Sequence, residues 1–381
     1  MVDLAMSRFR RVRTSWRVAI LLVATSAGTS GCGRSTRAND ASQAGKPTHA
    51  LVDACDAGKA PACSLAAIRY ELGIIENKDY IRASELYRRG CDTGDAPACT
   101  GLGIMYSYGR GVGQDDEQAM QLFKQGCGRG DARGCTNLGT MYKRRNPRHE
   151  DDARTVALYK QGCAGGEPLG CTKLASAYED GRGVVQDPAR AVALYRQGCE
   201  LGDSRGCSSL GFVYAKGRVL AQDMVRATAL FQQGCDGGDP MGCGLLGICY
   251  LAGWGVVRDS VRAAAYFRRA CDRGGSPGCF HLGRLYERGE GVTQDGLKGA
   301  ALLKQSCEWG YGAGCLELGY MYARGHVVKA DDVRAADLFR QACAMGSREG
   351  CEAVTRVSKL APPVWVPPRS SGETPTKENP W

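Results

Sequence analysis

Pro97-Ala-Cys-Thr-Gly-Leu-Gly-Ile-Met-Tyr106, followed by Gly109-Arg-Gly-Val-Gly-Gln-Asp115 and then Glu117 to Cys127, is the stretch on which the fold turns. Cys99, Leu102, Gly103 and Tyr106 stand at i, i+3, i+4 and i+7, which is one face of a helix. It is termed helix A. The glycine turn after it ends on Asp115, whose carboxylate can accept from the free N–H groups that open a second helix. That helix B carries Ala119, Leu122 and Phe123 on one apolar face and runs to about Cys127. Two short helices with one apolar face each must cover one another.

Outward from this stretch the same unit recurs. Cys55, Cys91, Cys127, Cys163, Cys199, Cys235, Cys271, Cys307 and Cys343 are each 36 residues after the last. Each has a companion eight residues on: Cys63, Cys99, Cys135, Cys171, Cys207, Cys243, Cys279, Cys315 and Cys351. The nine C-x7-C pairs use eighteen of twenty cysteines and leave Cys32 and Cys249. The helix A pattern returns as Leu138, Gly139, Tyr142 and as Leu210, Gly211, Tyr214. The turn aspartate returns at Asp79, Asp151, Asp187, Asp223, Asp259, Asp295 and Asp331. A period of this length, kept through eight complete units without insertion, means a repeat architecture. Each C-x7-C joins the end of a helix B to the start of the next helix A. A glycine three residues past each first cysteine, Gly94 and Gly130 for example, suits a left-handed helix stop.

Twenty cysteines would be unusual in a reducing cytosol, so an oxidising compartment is expected. A nine-residue disulfide loop would constrain the unfolded chain by roughly 2.5 kcal/mol on the loop-entropy model. Zinc is the rival for these cysteines, and it fits poorly, since structural sites favour C-x2-4-C spacing with histidine partners. Only His49, His149, His281 and His326 occur, and no two stand at ligand spacing. No metal and no cofactor is expected.

The LG-x-x-Y of helix A, the G-x-G-V-x-Q-D turn, the alanine-rich helix B and the C-x7-C pairs resemble the Sel-one-like repeat family. Within it they are most similar to the cysteine-rich branch known from Helicobacter. The resemblance spans residues 48–359. It implies an all-α fold, a right-handed α/α superhelical solenoid of eight 36-residue helix-turn-helix repeats related to tetratricopeptide arrays. It also implies that the nine C-x7-C pairs are disulfides. One repeat departs from the pattern: Lys143-Arg-Arg-Asn-Pro-Arg-His149 replaces the glycine turn and brings local positive charge. Some members of that branch bind penicillin or weakly hydrolyse β-lactams, which makes a β-lactam-directed hydrolase the alternative function. The sequence holds no S-x-x-K, Ser-Asp-Asn, Lys-Thr-Gly or G-x-S-x-G to carry it.

The ends read differently from the array. Arg8, Arg10, Arg11, Arg13 and Arg17 precede the apolar run from Val18 to Ala27, the layout of a secretory signal over residues 1–32. That run is well short of the ~20 residues a membrane span needs. Thr29-Ser-Gly-Cys32 resembles a bacterial lipoprotein box, although Thr29 stands where leucine is preferred. Cys32 is therefore the candidate lipidation site, with cleavage near Ala27 as the competing outcome. Periplasm or cell envelope is expected, or secretion. Residues 33–47 form a linker, and 360–381 a proline-rich tail without a packed fold. Residues 1–32 hold five arginines and Asp3, so the remainder carries +6 of the +10 net charge. That charge is too dispersed to imply nucleic acid. Fifty-three glycines in 381 residues, about twice the usual ~7%, point to close helix packing.

Function is expected where the repeats disagree. Positions two, five and nine after the second cysteine share a face of helix A directed away from the glycine and tyrosine stripe. They hold Ile104 and Tyr108; Asn137 and Arg144; Lys173; Phe212; Ile248; His281 and Arg284; and Tyr320, among others. In related solenoids helix A lines the concave face where extended partners bind. A non-catalytic scaffold for a protein or peptide follows, against the competing account that this is ordinary solvated variation. The tyrosine column, Tyr70 to Tyr322, is expected in the core. Cys249 occupies a mostly apolar column and is expected to be buried and inert.

Overall fold

The computed structural model describes residues 46–74, 77–145 and 151–360, and every regular element among them is helical. A lone helix B, α1 (Thr48–Asp56), opens the array. Eight A/B pairs follow: α2 (Ala60–Leu72) with α3 (Tyr80–Asp92), α4 (Ala96–Tyr108) with α5 (Asp116–Gly128), α6 (Ala132–Arg145) with α7 (Asp152–Ala164), and α8 (Pro168–Asp180) with α9 (Pro188–Glu200). Then come α10 (Ser204–Lys216) with α11 (Met224–Asp236), α12 (Pro240–Ala252) with α13 (Ser260–Asp272), α14 (Ser276–Arg288) with α15 (Gly296–Glu308), and α16 (Gly312–Arg324) with α17 (Asp332–Ala344). A lone helix A, α18 (Arg348–Leu360), closes it. Consecutive pairs pack one on the next, so the expected all-α solenoid of eight repeats is what forms. The expected signal segment with Cys32, the linker as far as residue 45, the tail from 361 and residues 146–150 of the odd turn lie outside the described residues.

Local chemistry starts and stops the helices as the sequence suggests. Asp79, Asp187, Asp223, Asp259, Asp295 and Asp331 each accept from the backbone N–H three residues on, and Asp115 accepts from Glu117 and Gln118. At Asp151, after the odd turn, the backbone lies at φ −103°, ψ 12° instead of the extended conformation of a cap. The glycines after helix B take φ from +80° to +100°. All nine C-x7-C pairs are disulfides with Cα atoms 4.4–4.7 Å apart, each fastening one repeat to the next.

The LG column has a packing reason. A Cβ on Gly103 would lie 2.7 Å from Phe123, one on Gly247 2.7 Å from Phe267, and one on Gly319 2.6 Å from Phe339. The helix B ring thus lies directly on the helix A backbone. Phe231, Phe267 and Phe339 are buried there, each contributing about 1.5–3 kcal/mol. Turns stack as well: a Cβ on Gly111 would collide with the carbonyl of Tyr80 in the preceding repeat, and Gly183 meets that of Asp152. In the eighth repeat Val327 replaces this glycine at φ +71°. Its side chain fills the space that Gly296 leaves open.

Every helix A touches the helix A of the next repeat, from α2 to α18, whereas helices B approach one another closely only at α1 and α3. Helices A therefore occupy the shorter, inner side. The tyrosine column packs on the core as expected, along its rim. Tyr70 and Tyr286 are buried and the other six half-buried, and a cation from the third residue of helix B covers one ring face of every tyrosine but Tyr106, where Gln118 stands at that position. Arg154 lies 4.4 Å from the centre of Tyr142, Arg190 5.3 Å from Tyr178 and Arg262 5.6 Å from Tyr250. The capping aspartate holds the same guanidinium, at 3.3 Å for Asp259 and Arg262. Cys249 is buried at 2% exposure, and burial pushes its thiol pKa up, so it is the inert thiol its column suggests.

Candidate functional site

On the inner side the neighbouring helices A α12 and α14 enclose a largely apolar cleft. Met241, Leu245 and Ile248 from one helix face Pro277 and His281 from the other around about 330 Å³. Ile248 and His281 also border a second hollow of about 390 Å³ that continues to Leu251, Arg284, Arg288 and Glu290. The two make one cleft, apolar toward the helix N-termini and charged toward the C-termini. His281 stacks on Phe267 at 4.9 Å and meets the edge of Phe280 at 5.1 Å. Burial, assisted by the Arg284 charge, pushes its pKa down to about 4, so the ring is neutral at pH 7. Arg284 lies 3.9 Å from Glu317 and 5.5 Å from the centre of the Phe280 ring.

Two repeats earlier, between α8 and α10, the same positions carry charge. Lys173 stands where Leu245 does, and Arg205 where Pro277 does. Lys173 is half-buried; burial first, then the charges of Arg205 and Lys143, push its pKa down, while Asp203 pulls the other way. Asp203 itself accepts from the backbone N–H of Gly206 at 3.1 Å.

The other expected residues divide by position. Asn137 is half-buried, and Arg144 is exposed and tied to Asp116 at 2.5 Å. Arg145 pairs with Glu117 at 2.6 Å, so the acidic start of α5 answers part of the charge brought by the odd turn. Tyr108 is 66% exposed under Arg110, and Phe212 38% exposed under Lys216, whose ammonium lies 4.2 Å from the ring centre. These ninth-position and neighbouring groups form a rim. Ile104 and Ile248, by contrast, are half-buried against the core, and Tyr320 packs its edge on Phe339 at 5.1 Å. The face expected to point wholly away from the packing is thus shared with it, because neighbouring helices A close over the second and fifth positions. The position two residues before the second cysteine, holding Arg205, Met241 and Pro277, was not singled out, although it too changes from repeat to repeat. Among the described residues no group of three His, Cys, Asp or Glu side chains could hold a metal ion, and no helix is long and apolar enough to cross a membrane.

The profile of the Sel1 repeat matches residues 60–95, 96–131, 168–203, 204–239, 240–275, 276–311 and 312–347. It passes over 132–167, the repeat whose turn departs from the pattern. Among solved structures the chain is similar to c5321, a protective antigen of uropathogenic Escherichia coli with an SLR fold. The identity is 26% and the TM-score 0.55, over 83% of this chain and 68% of that one. A Sel1 repeat protein from Oxalobacter formigenes aligns at 21% identity and TM-score 0.50, over 76% of this chain and 99% of its own. Cysteine-rich protein B of Helicobacter pylori aligns at 28% identity and TM-score 0.30, over 36% of this chain and 98% of its own. No curated protein matches the chain.

Proposed function

The chain belongs to the Sel1 repeat family, and from that premise we propose that it is a non-catalytic scaffold outside the cytoplasm whose inner clefts hold an extended protein or peptide segment. Repeat scaffolds of this family mediate protein–protein interaction. The observation that carries the finer proposal is the contrast between an unchanging frame and changing clefts. Cysteine, glycine and aromatic positions repeat, while one cleft presents Lys173 and Arg205 and its equivalent presents Leu245 and Pro277. Nothing in the packing of the frame calls for that difference. Nine disulfides support an oxidising location, and a lipid on Cys32 would hold the scaffold at a membrane surface.

The test is affinity capture with the oxidised protein, followed by binding and melting measurements on Tyr108→Ala, Phe212→Ala and Met241→Ala combined. Hot-spot side chains cost at least ~2 kcal/mol of binding when truncated, whereas exposed groups without a role change stability by only about 0.5 kcal/mol. Lost binding with unchanged melting is expected. Full binding by the triple variant, with hydrogen-exchange protection on helices B, would overturn the proposal. Turnover of nitrocefin by the oxidised protein would replace it with the hydrolase alternative.

A further inference from the structure

Resting on the scaffold function just described, we propose that the clefts read one extended segment at two points: α8/α10 takes a carboxylate and α12/α14 an apolar side chain, about six residues apart along the segment, from 8–10 Å helix spacings and ~3.3 Å per extended residue. The partner is thus a peptide segment with an acidic anchor and an apolar anchor in fixed register.

Three observations carry this. First, Lys173 and Arg205 have no ion pair among the described residues, whereas Arg144 and Arg284 on the same inner side have acidic partners. Asp203, the acid that acts on Lys173, is already turned to the Gly206 N–H. A half-buried ammonium beside two further cations is a standing electrostatic cost, and a bound carboxylate removes it. Second, the α12/α14 cleft leaves Met241 43% exposed beside Leu245, Ile248 and Pro277, and His281 adds no charge at neutral pH. Third, the two sites are built from equivalent helix A positions 72 residues apart, two repeats along the same inner side. Ser209 and Phe212 of α10 stand between them, with the Lys216 ammonium over the Phe212 ring.

The probes are fluorescein-labelled 14-residue peptides of Gly and Ser bearing Glu-Glu and Phe-Leu, six residues apart and in both orders. Control peptides carry Lys-Lys for Glu-Glu, Ala-Ala for Phe-Leu, or a spacing of two residues. By anisotropy, one order of the six-residue Glu peptide should bind at least 10-fold tighter than every control. The Lys173→Glu, Arg205→Glu protein should reverse that preference toward the Lys-Lys peptide, and Lys173→Met, Arg205→Met should abolish it. Reversal on a protein of unchanged melting excludes simple unfolding. Equal binding of Glu and Lys peptides, or no effect of spacing, overturns the two-point reading. If the captured partner protects helices A in hydrogen exchange but ignores both charge variants, the scaffold stands and this inference falls; protection confined to helices B sinks both.

Discussion

Gly244 and Gly247 stand three residues apart on α12 and answer to opposite physics. A Cβ on Gly244 meets nothing within 4 Å, whereas one on Gly247 meets Phe267 at 2.7 Å. Gly244→Ala should therefore stabilise the protein by about 0.5–1 kcal/mol through helix propensity. Gly247→Ala should destabilise it by about 1–2 kcal/mol, since overpacking costs ~1–3 kcal/mol and propensity returns only part. Urea unfolding of the two variants checks the pair, and equal signs would show that the ring does not rest on the helix backbone. His281 makes a pH prediction. Its pKa is depressed to about 4 by burial and Arg284, from an ordinary 6.5. The folded state then binds fewer protons than the unfolded chain between those values. The stability is fully present above about pH 6.5 and is lost as pH falls toward 4, by at most about 2–3 kcal/mol. His281→Gln should flatten the decline of Tm between pH 7 and pH 4.5.

The turns show how elements lock together. Gly296, first residue of α15, would place a Cβ 2.6 Å from Val327, which occupies a left-handed conformation at the following turn. Gly296→Ala should cost about 1 kcal/mol through this overpacking. With Val327→Gly added, that loss should disappear, restoring the glycine turn that stacks in other repeats. A double-mutant cycle measures the coupling, and simple additivity would place the two residues out of contact. At this scale much was legible in the sequence. The 36-residue cysteine spacing, the Leu-Gly column and the capping aspartates announce which helices form and where they stop. The rim was not legible. Tyr250 and Arg262 are twelve residues apart, and only the course of the turn brings the guanidinium over the ring. A recurring Asp-x-x-Arg, as at Asp259 and Arg262, was the available signal. For the same reason the inner face was only half read: Ile248 changes freely between repeats yet is closed over by the neighbouring helix, a contact no single repeat reveals.

Across the whole molecule each repeat contacts its neighbours alone, so stability is a chain of links. Every disulfide closes the same nine-residue loop, and each should stabilise by roughly 2.5 kcal/mol on the entropic account. Position decides the consequence. Cys199→Ala with Cys207→Ala cuts the middle link, and calorimetry should resolve one melting transition into two. Cys343→Ala with Cys351→Ala, at the exposed end, should lower only the onset of melting. A single sharp transition in the first variant would contradict nearest-neighbour coupling. The spacing of the pairs also bears on how the chain acquires its bonds. From Cys55 to Cys243 every native partner is the next cysteine to appear, so once Cys32 is lipidated or cleaved away, an oxidase joining thiols in order of arrival would make the native set without reshuffling. Cys249 is the one interruption: it arrives unpaired, 22 residues ahead of Cys271, and would capture it if left accessible. Its place inside α12, covered by Thr228 and the neighbouring core, keeps that sulfur out of reach of Cys271 once α13 has packed on it. The packing of one helix pair thus protects the pairing of the rest of the array.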